Sequence, residues 1–306
     1  MSGDGGGWLG CPMLSDEVAA RCLAEGWGLL GARLTRLDGG MGSRTWMVDH
    51  SSRRWVLKAV TPEVGAQMAG GLAVAQRLER GGIPAGRPEP TQAGDLTATA
   101  GGCRLGLLAW VPGEPLTGAD ERQRRLIGTT LGRMHQALSG QEVPLTQRFH
   151  WVDPAAGHLA LRPWLRPAVA AAVGAVDRRS GAGWSTGLLH ADPAPEAFRL
   201  DPATGRCGVI DWGAALRGPL LYDLASAVMY LGGPRSAADM VDAYLSVGTM
   251  SRTEVAEGLD LMLRFRWAVQ ADYFARRITG NDLTGITGSE ENEKGLEDAR
   301  RGLRGT

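Results

Sequence analysis

The sequence predicts an α+β fold of two lobes, a small β-rich one followed by a larger and mainly helical one. Three observations carry this. Strand-like runs crowd the early part of the chain, Leu29 to Leu37, Thr45 to Asp49 and Trp55 to Val60, each bounded by glycine-rich or polar turns. Helical periodicity takes over after Trp110-Val111-Pro112-Gly113-Glu114-Pro115, where two prolines and a glycine break the pattern. Within the helical part lies one compact β segment, 187–211, in which two apolar strands each end on an acid.

In chain order, residues 1–26 read as an N-terminal extension, 27–111 as the first lobe and 112–306 as the second. The first lobe begins as an antiparallel meander. Pro62 opens a helix to about Arg80, with Leu72, Ala75 and Leu78 at helical spacing and Gly81-Gly82 as its stop. Two strands follow, near 96–100 and 104–111. In the second lobe Thr117 and Asp120 have the spacing of a capping box, and Ile127, Leu131, Met134 and Leu138 share a helical face behind it. Further helices are expected near 155–179, 219–231, 236–247 and 252–278, and a surface loop over 280–295.

Composition narrows the class. Apolar residues make up 43% of the chain and charged ones 22%, as in a folded globular protein. With 33 basic and 33 acidic residues the net charge is zero, so no nucleic-acid partner is expected. No apolar run approaches the roughly 20 residues that span a bilayer, and the expectation is a cytoplasmic protein without a membrane partner, monomeric or homodimeric. The four cysteines lack Cys-x-x-Cys spacing, which argues against zinc and for reduced thiols.

The chemistry concentrates in Leu188-Leu189-His190-Ala191-Asp192 and Cys207-Gly208-Val209-Ile210-Asp211. A turn at Asp201-Pro202-Ala203-Thr204-Gly205 closes a hairpin between them and brings Asp192 and Asp211 towards one mouth. Phosphoryl transfer to an alcohol needs one carboxylate to take the hydroxyl proton and further oxygens to hold magnesium on the nucleotide. This pair fits that division, although a strand-end Asp also serves simply to cap a turn. Lys58 sits inside the apolar strand Val56-Leu57-Lys58-Ala59-Val60, where triphosphate oxygens would meet its charge; the alternative is an edge-strand lysine facing outward. The turn Asp38-Gly39-Gly40-Met41-Gly42-Ser43 precedes it and could present backbone amides to phosphates, or be an ordinary hairpin turn.

These motifs resemble those of the aminoglycoside phosphotransferase and homoserine kinase-like enzymes, relatives of protein kinases, over roughly 27–300. The family's His-Gly-Asp-x-x-x-x-Asn matches His190-Ala191-Asp192, its Ile-Asp-Trp or Ile-Asp-Phe matches Ile210-Asp211-Trp212, and Pro219 to Ala225 is similar to its Pro-x-x-x-Asp-Leu-Ala segment, whose Asp is structural. The resemblance implies a bilobal protein-kinase-like fold and an ATP- or GTP-dependent kinase acting on a hydroxyl of a small molecule: an antibiotic, sugar, nucleoside or amino-alcohol. It implies Asp192 as catalytic base with His190 supporting its loop, and Asp211 as a Mg²⁺ ligand. Lys58, Gly39, Gly40, Gly42 and Ser43 would bind the phosphates, and Trp110 and Val111 would open the hinge around the base.

Two positions depart from the family pattern. Ala197 stands where the metal-binding Asn is expected, leaving the adjacent Glu196 as candidate second ligand, and Gly71 stands where a helix Glu would pair with Lys58. A catalytically impaired pseudokinase that binds a nucleotide or partner is therefore the alternative reading. For the acceptor, the best local feature is Arg264 to Tyr273, in which Arg266, Gln270 and Tyr273, with the neighbouring Trp267, offer a polar and aromatic helix face.

Overall fold

Strands of alternating burial build the first lobe around one antiparallel sheet. The computed structural model describes residues 14–37, 42–145, 147, 149–179 and 183–305. Its first elements are α1 (Asp16–Trp27), β1 (Arg33–Leu37), β2 (Arg44–His50), β3 (Arg53–Val60), α2 (Gly65–Arg80), β4 (Pro88–Glu89), β5 (Ala98–Ala100) and β6 (Cys103–Ala109). The sheet runs β1-β2-β3-β6-β4, with β5 also paired to β6. Trp46, Val48, Leu57, Leu105 and Leu107 send their side chains to one buried face.

Helix α1 covers that face. Ser15 caps it by accepting the Val18 N–H, and Gly28, at φ 70°, ends it in the left-handed conformation, its N–H reaching the Ala24 carbonyl while Leu29 reaches Leu23. Ala19, Cys22 and Leu23 pack into the same cluster as the sheet. The stretch expected as an extension thus contains a helix that completes the first lobe's core.

The second lobe comprises β7 (Glu114–Pro115), α3 (Glu121–Ala137), α4 (Leu165–Arg179), β8 (Thr186–Leu189), β9 (Phe198–Leu200), β10 (Cys207–Val209), β11 (Leu216–Pro219), α5 (Leu220–Tyr230), α6 (Ala238–Ser246), α7 (Arg252–Thr279) and α8 (Ser289–Gly305). Strands β10, β9 and β7 form one small sheet, β11 and β8 another. Helix α5 is buried along nearly its whole length, and Leu221, Leu224, Phe265 and Val169 join it to α7 and α4 in the main core.

Helix α2 belongs to both lobes. Met68 and Leu72 pack under the sheet with Val60, whereas Val74, Ala75 and Leu78 enter the core of the second lobe. The crossing between lobes is equally tight: at Gly113, φ 113°, an added Cβ would stand 2.4 Å from the Leu200 carbonyl, so only glycine fits.

Four local expectations change. The cap of α3 is Asp120, which accepts the Gln123 N–H, while the Gln123 side chain accepts the N–H groups of Thr117 and Gly118; the capping box starts one turn later than Thr117. The helix expected from 155 begins at Leu165, after a single turn at Gly157–Ala160. The loop expected over 280–295 gives way to α8 at Ser289, whose charged sequence hides a narrow inner stripe. There Gly295 and Gly302 receive the rings of Phe274 and Trp267, and an added Cβ at either would lie 2.3 or 2.2 Å from a ring carbon. Finally, Cys22 and Cys207 are free thiols but Cys103 is disulfide-bonded, because sequence spacing says nothing of pairing in space.

Candidate functional site

Strand β8 carries the chain inward and its end is anchored before Asp192 emerges. His190 is fully buried. Its Nε2 donates to the Ile210 carbonyl at 2.8 Å and its Nδ1 accepts the Asp192 N–H at 3.3 Å, an arrangement that a neutral ring with the proton on Nε2 satisfies at both nitrogens. The backbone N–H groups of His190 and Ala191 donate to the two oxygens of Asp223, at 2.8 and 2.7 Å, and His135 Nε2 donates to Asp223 at 3.0 Å. Tyr244 then closes the chain on His135 Nδ1 at 2.9 Å. Asp223 and His135 are both buried, so this network is a sealed strut for the loop. Ala191 takes φ 69°, a conformation suited to the family's glycine.

The same strut fixes the second acid. The His190–Ile210 bond ties the two loops together, and Ile210 N–H donates to the Ala197 carbonyl at 2.9 Å. Asp211, at φ 74°, turns its carboxylate towards the first lobe. There Lys58, from the interior strand β3 between β2 and β6, donates to Oδ1 at 2.6 Å. Lys58 is therefore no edge lysine. Its ammonium holds the Asp211 carboxyl below the usual carboxylate range, outweighing the opposing effect of its crowded surroundings, although 66% of the Asp211 side-chain surface remains open.

The missing helix carboxylate has a steric cause. An added Cβ at Gly71 would stand 2.2 Å from the Trp212 carbonyl oxygen, so α2 lies directly against the turn after Asp211. Gln67, one turn earlier, donates to the Ala215 carbonyl at 2.6 Å and reinforces the contact. Lys58 meets Asp211 in place of a helix Glu.

Asp192 is half exposed, and one of its oxygens is occupied. Oδ1 accepts from Tyr230 Oη at 2.5 Å and from Arg266 at 2.9 Å. Arg266 comes from α7 and Tyr230 from the end of α5. Tyr230 and Asp223 stand two helical turns apart on one face of α5, so the helix that anchors the loop backbone through Asp223 also carries the phenol to Asp192.

The remaining expected residues divide. Gly39 and Gly40 lie outside the described residues, while Gly42 and Ser43 lead into β2, with Ser43 Oγ 3.2 Å from Thr45 Oγ1. Val111 is buried at the lobe crossing, and the Trp110 ring lies under the Arg54 guanidinium. A surface hollow of about 540 Å³ lined by Arg33, Asp49, Arg53, Arg54 and Trp110 shares only Trp110 with the expected site. Glu196 is exposed, whereas the Ala197 methyl is buried in the core, and no cage of three metal-ligating acids, histidines or cysteines forms among the described residues. On α7, Arg266 reaches Asp192, but Gln270 donates to the Gly295 carbonyl at 3.1 Å and Trp267 packs against Gly302. Both are turned to α8, which begins at Ser289 inside the expected loop and runs on to Gly305. Tyr273 is partly exposed, under the Arg277 guanidinium. No helix among the described residues is long and apolar enough to cross a membrane.

The family model described as "Phosphotransferase enzyme family" matches residues 33–256. Among solved structures, an amicoumacin kinase in complex with AMP-PNP, Ca²⁺ and its ligand is similar at 15% identity and a TM-score of 0.75, covering 96% of this chain and 95% of that one. A microcompartment-associated aminopropanol kinase is similar at 17% identity and 0.69, over 94% and 95%. The choline kinase of Streptococcus pneumoniae is similar at 15% identity and 0.68, over 95% and 99%. These likenesses extend over both lobes and establish the protein-kinase-like fold expected from sequence.

Proposed function

Because the chain belongs to the phosphotransferase enzyme family, we propose that it moves the terminal phosphate of ATP or GTP to a hydroxyl of a small molecule, with Asp192 as the base. The observation that carries this reading is the pair of acids tied together through His190 and Ile210, with a cation from the other lobe on one of them and open carboxylate oxygen on the other. The nucleotide and the small-molecule acceptor are suggested by the AMP-PNP complex of the similar amicoumacin kinase and by the alcohols named for the other two kinases.

Asp192 accepts the proton of the acceptor hydroxyl as its oxygen attacks phosphorus. The bond from phosphorus to the bridging oxygen of the nucleotide breaks, and the diphosphate leaves. Lys58 moves from Asp211 to the phosphate oxygens, whose charge replaces the one it gives up. His190 handles no substrate proton; buried and doubly bonded, it keeps the base at its post.

The residues present suit a magnesium ion only in part. Mg²⁺ commonly takes one or two carboxylates, phosphate oxygens and water, and Asp211, open on its outer side, supplies one carboxylate while the buried Ala197 methyl supplies nothing. Asp211, with Glu196 beside Ala197 as the further candidate, would hold it; when bound, it would neutralise charge on the transferring phosphate.

Melting-temperature titration with ATP and GTP, with and without Mg²⁺, followed by mass spectrometry over an alcohol library, tests the proposal. Nucleotide at a hundred times its Kd should stabilise the fold by about 2.7 kcal/mol, that level should be reached at a lower nucleotide concentration with Mg²⁺, and one library class should gain a phosphate. Stabilisation that ignores Mg²⁺, with no transfer to any alcohol, would establish a nucleotide-binding protein without turnover.

A further inference from the structure

Three groups close a ring around one oxygen of the base. Tyr230 and Arg266 both donate to Asp192 Oδ1, and the same guanidinium donates to the Tyr230 oxygen at 3.0 Å while its carbon lies 5.5 Å from the Tyr230 ring. The proton count is consistent: a phenol gives its one hydrogen to the carboxylate and accepts from the guanidinium. The Arg266 side chain is only 7% exposed, and its Nε is buried without a partner among the described residues. An unpaired buried donor is unfavourable, so the guanidinium keeps this position at the expense of its own hydrogen bonding.

We propose, resting on the assignment of Asp192 as base, that Arg266 and Tyr230 are positioning residues that occupy Oδ1, fix the plane of the carboxylate and leave Oδ2 alone to receive the acceptor proton. No side chain among the described residues donates to Oδ2. A carboxylate free to spin about its Cβ–Cγ bond would offer either oxygen at varying angles, and an error of about 1 Å in placement is worth on the order of 100-fold in rate. The partners come from different helices, α5 and α7, so the clamp also sets the spacing between them where the acceptor approaches. Burial pushes the Tyr230 phenol up, so it stays neutral beside the Asp192–Arg266 pair.

The test compares Arg266→Ala, Tyr230→Phe and Asp192→Asn on the full chain. Arg266→Ala should lower kcat about 100-fold while the Kd for nucleotide, measured by calorimetry, changes no more than about twofold. Millimolar methylguanidinium should restore part of that kcat, and methylammonium at equal concentration should not. Tyr230→Phe keeps the ring and should lower kcat roughly tenfold at unchanged melting temperature. Wild-type kcat in a folded Arg266→Ala, or a loss that follows the unfolded fraction and ignores methylguanidinium, overturns the clamp. Should Arg266→Ala not fold, an unchanged kcat in Tyr230→Phe does the same. Turnover surviving in Asp192→Asn instead removes the base assignment, a separate failure.

Discussion

Asp211 and Asp192 lie at the ends of neighbouring loops tied by one hydrogen bond, yet they are held in opposite ways. Asp211 has one partner, Lys58, which belongs to the other lobe, and most of its carboxylate faces solvent. Asp192 stands on a loop whose backbone is gripped by the buried Asp223, and its own oxygen is gripped by two side chains of its own lobe. The difference separates exchangeable charge from fixed geometry. On the proposed reading, phosphates take Lys58 from Asp211 because an exposed ion pair is worth little, whereas Asp192 keeps the direction that Tyr230 and Arg266 give it.

The largest effect is expected at the buried end of the loop anchor. Asp223→Ala leaves two backbone N–H groups and His135 without their acceptor, and should destabilise the protein by about 3–5 kcal/mol in denaturant unfolding. A loss below about 1 kcal/mol would mean that the strut is not the anchor described.

Next comes the junction of the lobes. Gly71→Glu restores the carboxylate that the helix lacks, but its Cβ would enter the Trp212 carbonyl. The expected result is a destabilisation of about 1–3 kcal/mol or more and weaker nucleotide binding, read by the same unfolding curves and by calorimetry. Tighter nucleotide binding would show that the helix can retreat to admit an ordinary Lys–Glu pair.

A smaller effect of opposite sign is expected at Ala191. Its φ of 69° is strained for a residue with a Cβ. Ala191→Gly should raise stability by roughly 0.5–1 kcal/mol, the relief of strain exceeding the added freedom of the unfolded chain. A fall in the unfolding midpoint would contradict this.

The smallest effect belongs to Lys58. Lys58→Met should change stability by less than about 1 kcal/mol, because the pair is open to solvent. Lys58 holds the Asp211 carboxyl below its usual range. The pair's contribution is therefore complete above the unfolded carboxyl's pKa of about 3.9 and disappears as pH falls through the lower folded value. Unfolding curves of wild type and variant should differ by a constant amount at neutral pH and converge in acid; divergence in acid would reverse the sign.

Much of this was legible in the sequence because it is local. An apolar strand ending in His190-Ala191-Asp192, a second ending in Asp211 and a lysine inside a third are patterns along the chain, and the hairpin between the acids follows from turn residues. What was not legible depends on approach in three dimensions. Gly71 read as a lost carboxylate, when its lack of a side chain is what lets α2 touch the turn after Asp211. Helix α8 was hidden by its charge and by glycines that exist to receive two rings of α7. Gln270 and Trp267 were then assigned to an open face that α8 in fact covers. Tyr230 lies on the helix expected near 219–231, but no pattern along the chain pairs it with Asp192 on a different loop.

The role of Asp192 is tested by phosphate transfer by Asp192→Asn to whichever alcohol the library identifies, measured beside its nucleotide affinity. Transfer should fall by about 10²–10⁴-fold with the Kd for nucleotide changed no more than about twofold. Transfer at the wild-type rate would contradict it.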